Sequence, residues 1–213
     1  MNEHFDMLVD ALANPRLAER LAAERRPHGA PGAAVLLLLS EYDDPDLLFT
    51  ERSAHLRRHA GQISFPGGGF ESQDADYVAT ALRETWEEVG LPPDQVSVLG
   101  QLPATRLPVS SYDVAPVVGT WSGDDPLVLA SPVEVAAIHR WRVSELVDPA
   151  NRVTWKLPGG HRGPAWQFGD IFLWGFTAYL TDALLRLGGW WRPWDTERVV
   201  EVPNRFQRDR QPR

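Results

Sequence analysis

A layered α/β domain is the fold class that this chain predicts, on three observations. The runs AAVLLLLS at 33–40 and DLLFTER at 46–52 are short, apolar and bounded by Pro, Gly and Asp, as buried strands are. Residues 76–89 instead repeat their apolar side chains at helical spacing. Strand and helix patterns then interleave along the chain, which separates it from an all-helical bundle. Composition agrees: with 43% hydrophobic and 10% aromatic residues, the chain has the apolar surface that offsets the entropy of ordering. Its 213 residues suit one domain, which at this size removes roughly two thirds to three quarters of the unfolded surface from water.

In chain order, residues 5–26 place Leu8, Ala11, Leu12, Leu17 and Leu21 on one face broken at Asn14-Pro15. That pattern predicts two short helices in an N-terminal segment, 1–29, packed on the domain. The runs at 33–40 and 46–52 are strands joined across EYDDP, and those at 96–102 and 114–119 are further strands, with the helix of 76–89 before them. A helical turn follows at 143–147, then IFLWGFTAYL (171–180) as a buried strand or a helix start, then a closing helix over 177–187. After Gly188-Gly189 the tail, 189–213, mixes aromatics with charge and has no period, so it is expected to be partly ordered at most. There is no internal repeat and no low-complexity tract.

Charge and cysteine usage narrow the chemistry. With 21 Lys and Arg against 29 Asp and Glu the chain carries a net charge of −8, which argues against nucleic acid or an anionic membrane as partner. A small anionic ligand held by a local basic patch or by metal stays open. Without cysteine there is no disulfide, thiolate nucleophile or Cys-ligated zinc. Glu3, Asp6 and Asp10 stand where a signal peptide would be basic and then apolar. No apolar run approaches the roughly 20 residues that span a bilayer, so a cytoplasmic location is expected.

The stretch LRRHAGQISFPGGGFESQDADYVATALRETWEEVGL, 56–91, passes from bases through three glycines to clustered acids. On a helical projection Val78, Leu82, Thr85, Trp86 and Val89 fall within roughly 100° of arc and predict the core face. Glu84, Glu87 and Glu88 fall together on the other side, where like charges repel unless a cation sits among them. Such a trio suits Mg²⁺ or Mn²⁺; the plain alternative is a solvated acidic face. Three neighbours favour the metal. Arg83 can orient a carboxylate, Gly90 can end the helix left-handed, and Gly67, Gly68 and Gly69 let backbone approach a ligand.

RETWEEVGL (83–91) resembles the second half of the Nudix box, G-x5-E-x7-R-E-U-x-E-E-x-G-U with U aliphatic, through its Arg, three Glu, Gly and final Leu. Thr85 departs from the pattern and is expected to bond back to a carbonyl one turn earlier. A strict count puts the box's first acid at Ala75; one extra residue moves it to Asp74. That variant resembles the coenzyme A pyrophosphatase branch of the Nudix hydrolases. LFTERSAHLRRHAGQISFPGG (48–68) is similar to the branch signature L-L-T-x-R-[SA]-x3-R-x3-G-x3-F-P-G-G. Thr50, Arg52, Ser53, Arg57, Gly61, Phe65, Pro66, Gly67 and Gly68 match and Phe49 departs. Weaker similarity runs through 112–119, 144–152 and 173–180, so the Nudix domain is expected over 30–188.

The resemblance implies an α/β/α sandwich with a mixed sheet. It also implies metal-dependent hydrolysis of the diphosphate bond of coenzyme A or acyl-CoA, giving (acyl-)4′-phosphopantetheine and adenosine 3′,5′-bisphosphate. Glu84, Glu87 and Glu88, with the carbonyl of Gly68, would hold Mg²⁺ or Mn²⁺, and Arg83 would complete the catalytic set. The general base is one of the glutamates or an acid of a later loop such as Asp113. On the substrate side the resemblance implies Arg52, Arg57, Phe65, Gly67 and Gly68. His59 and Gln62 either read polar groups or shape the turn, while Arg58 and His55 read as solvated surface. An ADP-sugar, NADH or a nucleoside triphosphate is the rival substrate, and a regulatory nucleotide-binding domain the rival class. No G-x-S-x-G elbow supports a serine hydrolase. The tail tryptophans Trp190, Trp191 and Trp194 are read as core packing or as a homodimer contact.

Overall fold

In the computed structural model, residues 3–14, 29–106 and 113–207 are described. The first predicted helix is α1 (Glu3–Leu12); the second, with Leu17 and Leu21, lies outside the described residues. The remaining elements are β1 (Ala33–Ser40), β2 (Asp46–Arg52), β3 (Ile63–Ser64), β4 (Gly67–Gly69), α2 (Tyr77–Val89), β5 (Ser97–Gln101), β6 (Thr105–Arg106), β7 (Asp113–Trp121), β8 (Val135–Arg142), α3 (Val143–Val147), β9 (Arg152–Lys156), β10 (Arg162–Phe168), β11 (Ile171–Leu173), α4 (Gly175–Leu187) and β12 (Val199–Glu201). The stretch 171–180 is thus strand and helix in turn, broken at Trp174, which precedes α4.

The central sheet is mixed. Its order is β3-β2-β1-β7-β5, with β4 on β1, β6 on β7 and β8 on β2. Only β1 and β7 pair in parallel there, with Leu36 opposite Val117. Alternation along β1 explains the layering, since successive side chains of a strand point to opposite faces. Ala34, Leu36 and Leu38 pack with Ala81, Val89 and Leu91 on the α2 side. Leu37 and Leu39 pack with Phe5 and Leu8 of α1 and with Leu180 and Leu184 of α4 on the opposite side. Two apolar cores therefore sandwich the sheet between helices, the predicted α/β/α arrangement.

A second sheet, β11-β10-β9-β12, covers Val153, Trp155, Phe172, Trp174, Val202 and Phe206. Its last strand comes from the aperiodic tail, where β12 runs parallel to β9 with Val200 opposite Trp155. The tail tryptophans are engaged within the chain. Trp190 stacks on His4 with centroids 4.8 Å apart, the Trp191 indole donates to Asp182 at 3.2 Å, and Trp194 lies 4.7 Å from the Arg152 guanidinium. No helix among the described residues is long and apolar enough to cross a membrane.

On α2 the burial is rotated from the projection. Thr80, Ala81, Thr85, Glu88 and Val89 are the buried residues, whereas Trp86, expected in the core, is 55% exposed. The sheet meets the helix along the Ala81–Thr85–Glu88 line. Small side chains there permit close approach to β1 and β4, and the bulky indole is turned out.

Candidate active site

The site begins where backbone replaces side chains. Gly67, Gly68 and Gly69 pair antiparallel with Val35, Ala34 and Ala33 of β1. A Cβ at Gly67 would lie 2.3 Å from the Ala34 carbonyl oxygen, and one at Gly68 would lie 2.4 Å from the Glu84 carboxylate. Any side chain at Gly68 would displace that carboxylate. One residue earlier, the Gly67 amide donates to Glu88 Oε2 at 3.3 Å. Glu84 and Glu88 thus flank one short run of glycine backbone.

The α2 helix is aligned by its ends. The Asp76 carboxylate accepts from the Ala79 amide at 2.8 Å at the N-cap, and Gly90, with φ of 73°, ends the helix left-handed while its amide donates to the Trp86 carbonyl at 2.9 Å. Thr85 donates to the Ala81 carbonyl at 2.7 Å, the predicted back-bond.

Arg83 is the strut between helix and loop. Its Nε and Nη2 grip Asp74 at 2.9 and 3.0 Å, and Nη2 also donates to the Gly69 carbonyl at 2.9 Å. Its Nη1 reaches Glu84 at 3.0 Å and Glu87 at 3.3 Å. The Glu71 amide and Thr80 hydroxyl complete the shell of Asp74, each at 2.9 Å. The Arg83 guanidinium, helped by these donors, holds the Asp74 carboxyl well below the usual carboxylate range. With the extra residue in the spacer, Asp74 meets Arg83 in a two-pronged pair.

The three glutamates differ in environment. Glu88 is 3% exposed, while the side chains of Glu84 and Glu87 are 15% and 54% exposed. The expected single acidic face is therefore split, with Glu88 inward at the core boundary and Glu87 outward. Burial pushes Glu88 up to about 8; the Gly67 amide and Arg52 oppose this, and Glu84 and Glu134 reinforce it. Burial likewise raises Glu84, opposed by Arg83. Glu134 lay outside every motif in the sequence. It reaches the site because the loop after β7 wraps the end of α2, with the Ala130 amide on the Glu88 carbonyl at 3.2 Å and the Ser53 amide on the Glu134 carbonyl at 2.7 Å.

Among the described residues no three His, Asp or Glu side chains already converge as a metal shell; Glu87 leans on Arg83 instead. The donor chemistry nonetheless fits a hard divalent cation. Both carboxylates are desolvated, and the charge of Glu84 adds to the burial that raises Glu88, a cost that a cation removes, while the glycine carbonyls can add oxygen ligands beside retained water. Glu84 and Glu88, with Gly68, would hold it.

The other predicted residues separate into groups. Arg52 closes the loop after β2, its amide donating to the Gln62 carbonyl and its carbonyl accepting from the Gly61 amide, both at 3.0 Å. Among the described residues its buried Nε has no hydrogen-bond partner, and its charge acts on Glu88. His59 is left-handed, with φ of 58°, and its Nδ1 lies 3.4 Å from Gln62 Oε1. Arg57, Arg58 and His55 are exposed on the same loop. Phe65, expected beside substrate, is buried and stacks on Phe49 at 4.9 Å, so its ring serves the core. Asp113, expected as a base, is buried and accepts from the Gly29 amide at 3.0 Å.

Comparison with known proteins gives the family. The NUDIX domain model matches residues 30–154. The chain is 38% identical over 190 residues to a protein of Shigella flexneri serotype 5b named as the uncharacterized Nudix hydrolase NudL, over 87% of this chain and 98% of that protein. The NudL of Escherichia coli O1:K1 is 38% identical over 160 residues, covering 73% and 82% of the two chains. A solved NUDIX hydrolase from Nitrosomonas europaea superposes with a TM-score of 0.48 at 14% identity over 82% of each chain.

Proposed function

This chain belongs to the Nudix family, and from that premise we propose that it hydrolyses the diphosphate bond of coenzyme A or acyl-CoA with Mg²⁺ or Mn²⁺. Water adds to phosphorus, the bridging P–O bond breaks, and (acyl-)4′-phosphopantetheine and adenosine 3′,5′-bisphosphate leave. The observation that carries the substrate reading is the loop 53–62. It starts at Arg52, whose charge acts on Glu88, and displays Arg57 to solvent five residues on. A guanidinium at each end of this short path suits a ligand with a 3′-phosphate as well as a diphosphate.

A divalent cation would supply charge neutralisation and acidify the attacking water. The protein's own groups do the rest. Arg83 fixes the carboxylates of Glu84 and Glu87 while its own charge is balanced by Asp74. The buried carboxyl of Glu88 would give up its proton to hold the cation. The charge of Glu134 acts on Glu84 and Glu88, which supports it as an acid outside α2 that takes a proton, while Asp113 accepts from the Gly29 amide. No covalent enzyme intermediate is needed, and positioning with charge neutralisation provides the rate.

The test is a panel of CoA, acetyl-CoA, dephospho-CoA, ADP-ribose, NADH and dGTP, each with Mg²⁺ or Mn²⁺ and with products resolved by mass. Release of adenosine 3′,5′-bisphosphate from CoA species at the highest kcat/KM is expected. Preference for ADP-ribose, NADH or dGTP would overturn the substrate assignment while keeping the family chemistry.

A further inference from the structure

The substrate loop is propped from below by the end of the chain. Gly61, left-handed with φ of 66°, closes the loop, and a Cβ added there would lie 3.8 Å from Phe206 Cε1, so the ring faces the loop backbone at the reach of one methyl group. Phe206 belongs to a 3-10 turn, Asn204–Phe206, that follows β12. It is 3% exposed and stacks on Trp174 with centroids 6.4 Å apart. Its turn is tied down by Val202 before it, whose amide donates to the Lys156 carbonyl at 3.1 Å, and by Arg205 within it, whose Nη2 donates to the Asp170 carbonyl at 3.0 Å. Trp174 precedes α4, where the Thr177 hydroxyl donates to the Ile63 carbonyl at 3.0 Å, on the strand by which the chain leaves the loop. One platform made of Trp174, Thr177 and Phe206 therefore supports the loop's exit, and all three lie outside residues 30–154, the span matched by the family model.

We propose that Phe206 is a positioning residue that sets the shape of the loop 53–62 and thereby the affinity for the anionic substrate. The inference rests on the assignment of that loop to substrate binding. Without the ring, Gly61 and the residues before it have more conformations to lose when substrate binds, and that entropy is charged to affinity. The carboxylates on α2 are held by Arg83 and the glycines, so the chemical step is untouched.

The experiment compares Phe206→Ala, Phe206→Leu and, as a control in the same apolar cluster, Val200→Ala, each first checked for folding by circular dichroism. Phe206→Ala is expected to raise KM for the best substrate of the panel about tenfold, equivalent to about 1.4 kcal/mol, with kcat within about twofold. Phe206→Leu should fall between it and the wild type, and Val200→Ala should leave KM unchanged. Independently of turnover, trypsin should cut after Arg57 and Arg58 faster in Phe206→Ala than in Val200→Ala. An unchanged KM, a parallel loss in both variants, or equal cleavage rates would overturn the proposal. Because KM is read on whichever substrate the wild type prefers, and cleavage needs none, an error in the CoA assignment leaves this test standing. Should Phe206→Ala not fold, Phe206→Leu carries both readouts at smaller amplitude.

Discussion

At Glu88 two opposed effects meet: desolvation favours the protonated acid, while the Gly67 amide and Arg52 favour the carboxylate, and desolvation wins, placing the group at about 8. The sign for stability follows. An acid that holds its proton more tightly when folded contributes stability that is whole below its ordinary value near 4.5 and is lost as pH rises toward 8. Metal-stripped protein should therefore lose more Tm between about pH 5 and pH 8 than Glu88→Gln does. Added Mg²⁺ should restore Tm at the upper end in the wild type only, because metal replaces the proton. Identical pH slopes in the two proteins would refute this account. Turnover by Glu88→Gln should fall by about 100-fold or more. Single residues were unevenly legible. The Thr85 back-bond needed only local spacing, whereas the exposure of Trp86 depended on where the sheet touches the helix, and Glu134 could not be found without the wrapping of its loop.

At the scale of elements, α2 and the glycine strand form one unit, and their two aspartates do different work. Asp76 caps the helix, so Asp76→Ala should cost about 1 kcal/mol in urea unfolding and leave kcat nearly intact. Asp74 holds Arg83, so Asp74→Asn frees the guanidinium to pair more closely with Glu84 and Glu87 and should lower kcat by about 10- to 100-fold. Equal effects of the two substitutions on kcat would show that Arg83 is not oriented through Asp74. The shifted acid in the spacer still makes the bidentate pair with Arg83, because that pairing depends on the distance across the turn rather than along the chain. The strand of β1 was legible because its run is apolar on both faces, whereas β3 and β12, two and three residues long, and β8 and β10, whose burial is mixed, were illegible, because such strands exist only through their partners.

For the whole molecule, the tail and the second sheet are joined at Arg152. Its side chain is 0% exposed and is salt-bridged to Asp182, and its guanidinium lies 4.5 Å from the Trp166 ring and 4.7 Å from the Trp194 ring. Asp182 also accepts from Arg186 at 2.7 Å and from the Trp191 indole at 3.2 Å. Asp182→Asn strands a buried cation and should destabilise by about 3–5 kcal/mol in urea unfolding, with the midpoint falling and the slope kept. A change below about 0.5 kcal/mol would mean that the indoles alone carry the charge. The pairing was invisible in sequence, since Arg152 and Asp182 sit thirty residues apart with no shared period. By itself the sequence determined the alternating α/β layers, the glycine loop, the capped helix and the family to which the chain belongs, because periodicity and motif spacing are local quantities. Only the tertiary structure decided which carboxylate is buried, which acid from a distant loop adds its charge to the glutamates of α2, and what supports the loop 53–62, because desolvation and packing depend on neighbours that the chain brings together only when it folds.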